Sequence, residues 1–99
     1  MNVRFADKSL QLCYQHEGQA IRRCGPEVGR RYIQRVSLIQ SVKTFRELTL
    51  FRALALHRLK GGCAGEWALT LQDRWRLVLV PEKGGAAVTI VEVSNHYGD

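Results

Sequence analysis

The stretch WALTLQDRWRLVLVPEKGGAAVTIVEV, residues 67–93, decides the fold, because its large apolar residues recur at every second position. Trp67, Leu69 and Leu71 share one side of a strand, and Trp75, Leu77 and Leu79 share one side of the next. Gln72-Asp73 is short enough for a tight hairpin turn. Pro81-Glu82-Lys83-Gly84-Gly85 makes a second, looser connection into Val88-Thr89-Ile90-Val91-Glu92-Val93. Three strands joined in this way form an antiparallel meander.

Working outward, Gly61, Gly62 and Gly65 break the chain ahead of the meander. Residues 44–56, TFRELTLFRALAL, mix periods and read as a short helical turn plus loop. Before them lies the strongest helix signal, opened by Gly25-Pro26-Glu27, with proline at a first helical position and an acid at the positive end of the helix dipole. Val28, Tyr32, Val36 and Ile39 form its apolar stripe, and the spacing predicts a helix over about 26–43 that packs on a sheet. Residues 2–6 alternate around Val3 and Phe5 and predict a first strand. A short helix capped by Asp7 follows and closes at Gly18. The expected order is β-α-α-β-β-β: an α+β domain, with a small antiparallel sheet and helices on one face.

Ninety-nine residues read as one domain, 1–99, with a single small core. No segment has the 18 to 20 consecutive apolar residues that span a bilayer, and the opening Met1-Asn2-Val3-Arg4-Phe5 lacks a secretory apolar run, so a cytoplasmic domain with no membrane partner is expected. Cys13, Cys24 and Cys63 form no C-x-x-C pair and no disulfide framework, and His16, His57 and His96 do not join them at ligand spacing, so no metal is expected. The net charge of +6 is carried mainly by arginine, whose planar fork suits phosphate and favours an anionic partner such as nucleic acid.

Strand alternation places Arg74 and Arg76 opposite Trp75, Leu77 and Leu79, on the open face of the sheet. The last strand returns past Arg76, so Ser94-Asn95-His96-Tyr97 finishes at the Arg74 end. Two guanidinium groups, an imidazole and a phenol can bind a phosphate and move a proton near neutral pH. The plainer role for Arg74 and Arg76 is a cross-strand ion pair with Glu92 or Glu66. A second cluster, Leu56-His57-Arg58-Leu59-Lys60-Gly61, holds another imidazole and another cation, in a loop that pattern alone does not place. No nucleotide-binding glycine motif, nucleophile elbow or zinc-protease motif is present.

Leu56-His57-Arg58-Leu59-Lys60-Gly61, Gly65-Glu66-Trp67-Ala68-Leu69, Trp75-Arg76-Leu77-Val78-Leu79 and Ile90 through Asp99 occur in one order that resembles the HigB-type toxins of the RelE/ParE superfamily, the plasmid maintenance killer family. Ala20-Ile21-Arg22-Arg23-Cys24-Gly25-Pro26-Glu27-Val28 is similar as well. The resemblance implies a toxin of a bacterial toxin–antitoxin pair: a ribosome-dependent endoribonuclease that cuts mRNA without metal or cofactor. Its partners would be the ribosome, mRNA and a helix-turn-helix antitoxin of the HigA type. By position, His57 and Lys60 match the His and Lys of the family's Leu-His-x-Leu-Lys-Gly element, and Arg76 matches the Arg of its aromatic-Arg strand. Lys60 and Arg76 would supply charge to the phosphate, and His57 or His96 would move protons. Arg58, Arg74, Asn95 and Tyr97 would support them or touch RNA.

The family's Asp-Tyr-His ending is replaced here by Asn95-His96-Tyr97, which removes a carboxylate and exchanges the two rings. That departure implies slower catalysis or a different acid and base. Two other functions suit the same fold: a ParE-like gyrase inhibitor without chemistry, or a weakened relative that only binds its partner.

Overall fold

The computed structural model describes residues 1–60 and 65–95. Strand β1 (Asn2–Phe5) leads into helices α1 (Lys8–Gln15), α2 (Glu17–Cys24) and α3 (Pro26–Ser41). Two short 3-10 turns, Phe45–Leu50 and Arg52–Leu54, precede β2 (His57–Arg58), β3 (Trp67–Gln72), β4 (Trp75–Pro81) and β5 (Ala87–Ser94). The sheet runs β1-β5-β4-β3-β2. The α+β class holds, with the meander and the helical layer where the periodicities put them.

The sheet is mixed rather than wholly antiparallel. β1 pairs in parallel with β5, Val3 beside Val88 and Phe5 beside Ile90. A parallel neighbour needs a long crossover, and the helices together with β2, β3 and β4 supply it. Two further elements differ from the expected order. Gly18 does not end the first helix. The break comes at His16, whose extended backbone (φ −132°, ψ 109°) closes α1 and opens α2. α2 buries only Ala20, so its apolar signal was too weak to read. His57-Arg58, expected in a loop, is an edge strand, because its partners Ala68 and Trp67 in β3 lie across an intervening loop, beyond the reach of local pattern.

The core lies between the helices and one face of the sheet. The α3 stripe of Val28, Tyr32, Val36 and Ile39 meets Leu69, Leu71, Leu77, Leu79, Val88 and Ile90. Tyr32 reaches through this layer to donate a 2.8 Å hydrogen bond to the Leu10 carbonyl, which ties α1 to α3. Burial pushes the Tyr32 phenol well above its ordinary range. Leu48 and Leu54, both fully buried, anchor the 3-10 segment to the same core.

Two local devices fix the helical layer. Gly25 turns the chain at φ 88° between α2 and α3, a conformation that side chains disfavour. Gly29 then brings the two helix backbones together, since a Cβ there would meet the Ala20 carbonyl carbon at 2.7 Å and its oxygen at 2.8 Å. Asp7 caps α1 by accepting from the Leu10 amide at 3.0 Å and the Ser9 hydroxyl at 2.6 Å. Glu47 accepts from the Thr44 and Lys43 amides at 2.9 and 2.8 Å. The Ser9 hydrogen bond holds the Asp7 carboxyl below the usual carboxylate range, and the Thr44 amide does the same for Glu47.

Gly29→Ala should cost about 1 to 3 kcal/mol by overpacking the α2–α3 contact, read from the midpoint of urea unfolding. Both capping carboxyls have lower pKa values folded than unfolded. Their contribution is therefore complete above the unfolded values near about 4 and fades as pH falls toward the folded ones. The acid side of a melting-temperature profile should be shallower in an Asp7→Ala/Glu47→Ala double variant than in the wild type.

Candidate functional site

The face of the sheet away from the helices is set by β4. Leu77 and Leu79 are wholly buried toward the helices, so Arg76 and Val78 project to the other side. Register carries that face across the strands. His57 pairs with Ala68, Ala68 with Val78, and Val78 with Glu92. One row over, Thr70 pairs with Arg76 and Arg76 with Ser94. His57 and Arg76 thus share one face in adjacent rows. Two strand spacings and two residue steps put their Cα atoms roughly 12 Å apart, a gap that an imidazole and a guanidinium can span around a phosphodiester.

Arg76 is half-buried and folded toward the β3–β4 turn. Its Nη1 donates to the Asp73 carbonyl at 2.6 Å and to the Trp75 carbonyl at 3.1 Å. Its Nε is buried with no hydrogen-bond partner. Among the described residues it forms no ion pair with Glu92, Glu66 or any other carboxylate. Carbonyl oxygens carry no full charge, so these contacts steady the guanidinium and leave it cationic.

His57 stands half-buried on edge strand β2, its Nδ1 at 3.0 Å from the Ala55 carbonyl. Carbonyl oxygen only accepts, so Nδ1 carries the proton in this contact and Nε2 bears the lone pair in the neutral ring.

The other expected residues are distributed unevenly. Arg58 pairs with Trp67, and alternation turns it to the face opposite His57. Lys60 lies beyond β2, past the Leu59 amide that donates to the Glu66 carbonyl at 2.9 Å. That position is about five residue steps along the sheet from the Arg76 level, roughly 19 Å away. Arg74 occupies the β3–β4 turn itself, because Gln72 pairs with Trp75 and the turn is Asp73-Arg74, one residue later than expected. It is exposed there and does not lie on the strand face beside Arg76. Asn95 is exposed and follows Ser94, the register partner of Arg76, so the chain does leave β5 at the Arg76 end. His96 and Tyr97, like Cys63, lie outside the described residues.

Two residues that the sequence did not single out position this face. Ala55 (φ 48°) and Asp73 (φ 53°) are the described non-glycine residues with left-handed backbones. Their carbonyls are the ones that hold His57 and Arg76. Strained backbone conformations gather at functional sites. Aspartate in a turn hints at such a conformation, whereas alanine gives no sign of it. Among the described residues no group of three His, Cys, Asp or Glu side chains gathers at metal-binding distance. No described helix is long and apolar enough to cross a membrane.

The fold is RelE/ParE-like. It is similar to that of a YoeB/ParE toxin from Agrobacterium tumefaciens, with a TM-score of 0.63 and 18% identity over 98% of this chain and 100% of that one. A likeness at that identity is one of fold. No family model and no curated protein matches the chain.

Ala55→Gly removes the left-handed penalty of about 1 to 2 kcal/mol and adds about 0.5 to 1 kcal/mol of backbone entropy. The variant should therefore unfold at equal or higher denaturant than the wild type. A clearly lower midpoint would show that Ala55 is not strained.

Proposed function

We propose that this chain is a HigB-type toxin of a toxin–antitoxin pair, acting in the cytoplasm as a ribosome-dependent endoribonuclease on mRNA. The observation that carries the proposal is that His57 and Arg76 share the sheet face away from the helices in adjacent rows, with no carboxylate paired to the arginine among the described residues. The RelE/ParE-like fold and the resemblance of the Leu56–Gly61 and Trp75–Leu79 elements support it. The partner that silences it is a helix-turn-helix antitoxin of the HigA type.

The reaction that suits these groups uses the nucleophile RNA already carries. The ribose 2′-oxygen attacks the adjacent phosphorus, and its proton passes to His57 Nε2. The O2′–P bond forms as the P–O5′ bond breaks, leaving a 2′,3′-cyclic phosphate, and the departing 5′-oxygen takes up a proton. Arg76 stabilises the negative charge that grows on the phosphoryl oxygens. His96 is the acid in this scheme, with Asn95 and Tyr97, its neighbours in sequence, as supporting residues. Lys60, about five residue steps from the Arg76 level, contacts the message farther from the scissile bond, and Arg58 and Arg74 are supporting cations outside the reacting row.

5′-end mapping of cellular mRNA after brief induction tests the scheme. Cuts should fall within translated frames. Arg76→Ala should reduce them about 10² to 10³-fold and His57→Ala about 10² to 10⁴-fold, with a smaller loss for Lys60→Ala. Growth arrest with intact messages would replace this reading by gyrase inhibition, and the absence of any arrest would leave a partner-binding relative.

A further inference from the structure

Away from the His57–Arg76 face, α3 carries a second set of cations. Arg30, Arg31 and Gln34 line a cleft of about 360 Å³ with Glu27 and Gln72, between α3 and the β3–β4 hairpin. Arg31 Nη1 donates to the Leu71 carbonyl at 3.3 Å, at the register shift in β3. Glu27, which also lines the cleft, accepts a hydrogen bond from Gln72 Nε2 that turns one of its oxygens toward the hairpin and leaves its negative charge in place, so the lining carries two guanidinium groups against one carboxylate.

The charge in and beside this cleft is poorly compensated. Arg30 sits 3.5 Å from Glu17, with both side chains more than half exposed, so the pair is weak. Among the described residues Arg31 and Arg35 have no carboxylate partner. Arg35 follows Arg31 by one helical turn, and its Nε is buried without a hydrogen-bond partner. Burial, and then the Arg31 charge, pull the Arg35 pKa down. An anion in the cleft would relieve that repulsion.

We propose that the cleft between α3 and the β3–β4 hairpin binds a phosphate group, with Arg30 and Arg31 as forked donors and Gln34 as an amide donor. Phosphate suits the cleft better than a carboxylate because two guanidinium forks and an amide of α3 line it, more donors than two carboxylate oxygens take up, and a phosphate offers a further oxygen. The site faces the helical layer while Arg76 faces the opposite side of the sheet. A phosphate bound here therefore belongs to a different segment of nucleic acid from the strand at Arg76, or to a free nucleotide. Only the nucleic-acid source rests on the ribonuclease reading; the site itself does not.

The test titrates inorganic phosphate into the full chain and follows amide shifts and the melting temperature. Wild type should respond with amide shifts along α3 near Arg30, Arg31 and Gln34, and those α3 shifts should persist in Arg76→Ala, which removes only the anion contact on the opposite face of the sheet. An Arg30→Gln/Arg31→Gln double variant should bind at least about tenfold more weakly. Arg30→Gln alone, at an exposed position, should weaken binding without disturbing the Arg31–Leu71 contact. An unresponsive wild type, or an undiminished response in the double variant, would overturn the proposal. The same variants then separate the sources. A 12-base-pair RNA duplex whose salt slope falls by about 1.5 to 2 in the double variant identifies RNA. Adenosine monophosphate bound more tightly than the duplex identifies a free nucleotide, with the phosphate site upheld. Intact messages in the expression assay would leave this titration unchanged, so the two proposals fail separately.

Discussion

Leu77 and Leu79 are withdrawn from water beneath the α3 stripe, and a strand that buries both has no freedom left for Arg76. Turning β4 over would expose two leucines and bury a guanidinium, a change far larger than the net stability of a small domain. The remaining geometry follows from that commitment. β3 and β5 take their register from β4, β2 takes its register from β3, and His57 arrives on the Arg76 face through Ala68. Chemistry on one side of the sheet is thus positioned by hydrophobic burial on the other.

The two register shifts lie close to this point. One falls between Thr70 and Gln72 in β3, the other where Val78 and Leu79 pair with Glu92 and Ile90. Bulges of this kind strengthen local twist and re-aim side chains. They bracket the Arg76 row from both neighbouring strands.

Much of the architecture was legible in the sequence because it depends on short periods. The α3 stripe and the alternation of residues 67–93 are each read within a dozen residues, and both occur as expected. The parallel pairing of β1, the two-residue strand β2 and the start of α2 were not legible. Each depends on a partner distant in sequence or, for α2, on a single buried Ala20. The site divides in the same way. Alternation alone placed Arg76, whereas His57 was visible as an imidazole beside a cation but needed the long-range β2–β3 pairing to be placed. The shift of the hairpin by one residue, which moves Arg74 into the turn, comes from the left-handed Asp73. That choice is made by backbone energetics too fine for pattern reading.

The parallel β1–β5 pairing has a consequence in time. Val3 finds its partner only at Val88, and Phe5 only at Ile90. A chain made at about 5 to 20 residues per second leaves β1 unpaired for several seconds after it emerges. The helices form early from local contacts, but their apolar stripe has no sheet to cover it until β3, β4 and β5 have followed. Such late closure slows folding. The sheet that carries the His57–Arg76 face is therefore completed only when the last strand of the chain has been made.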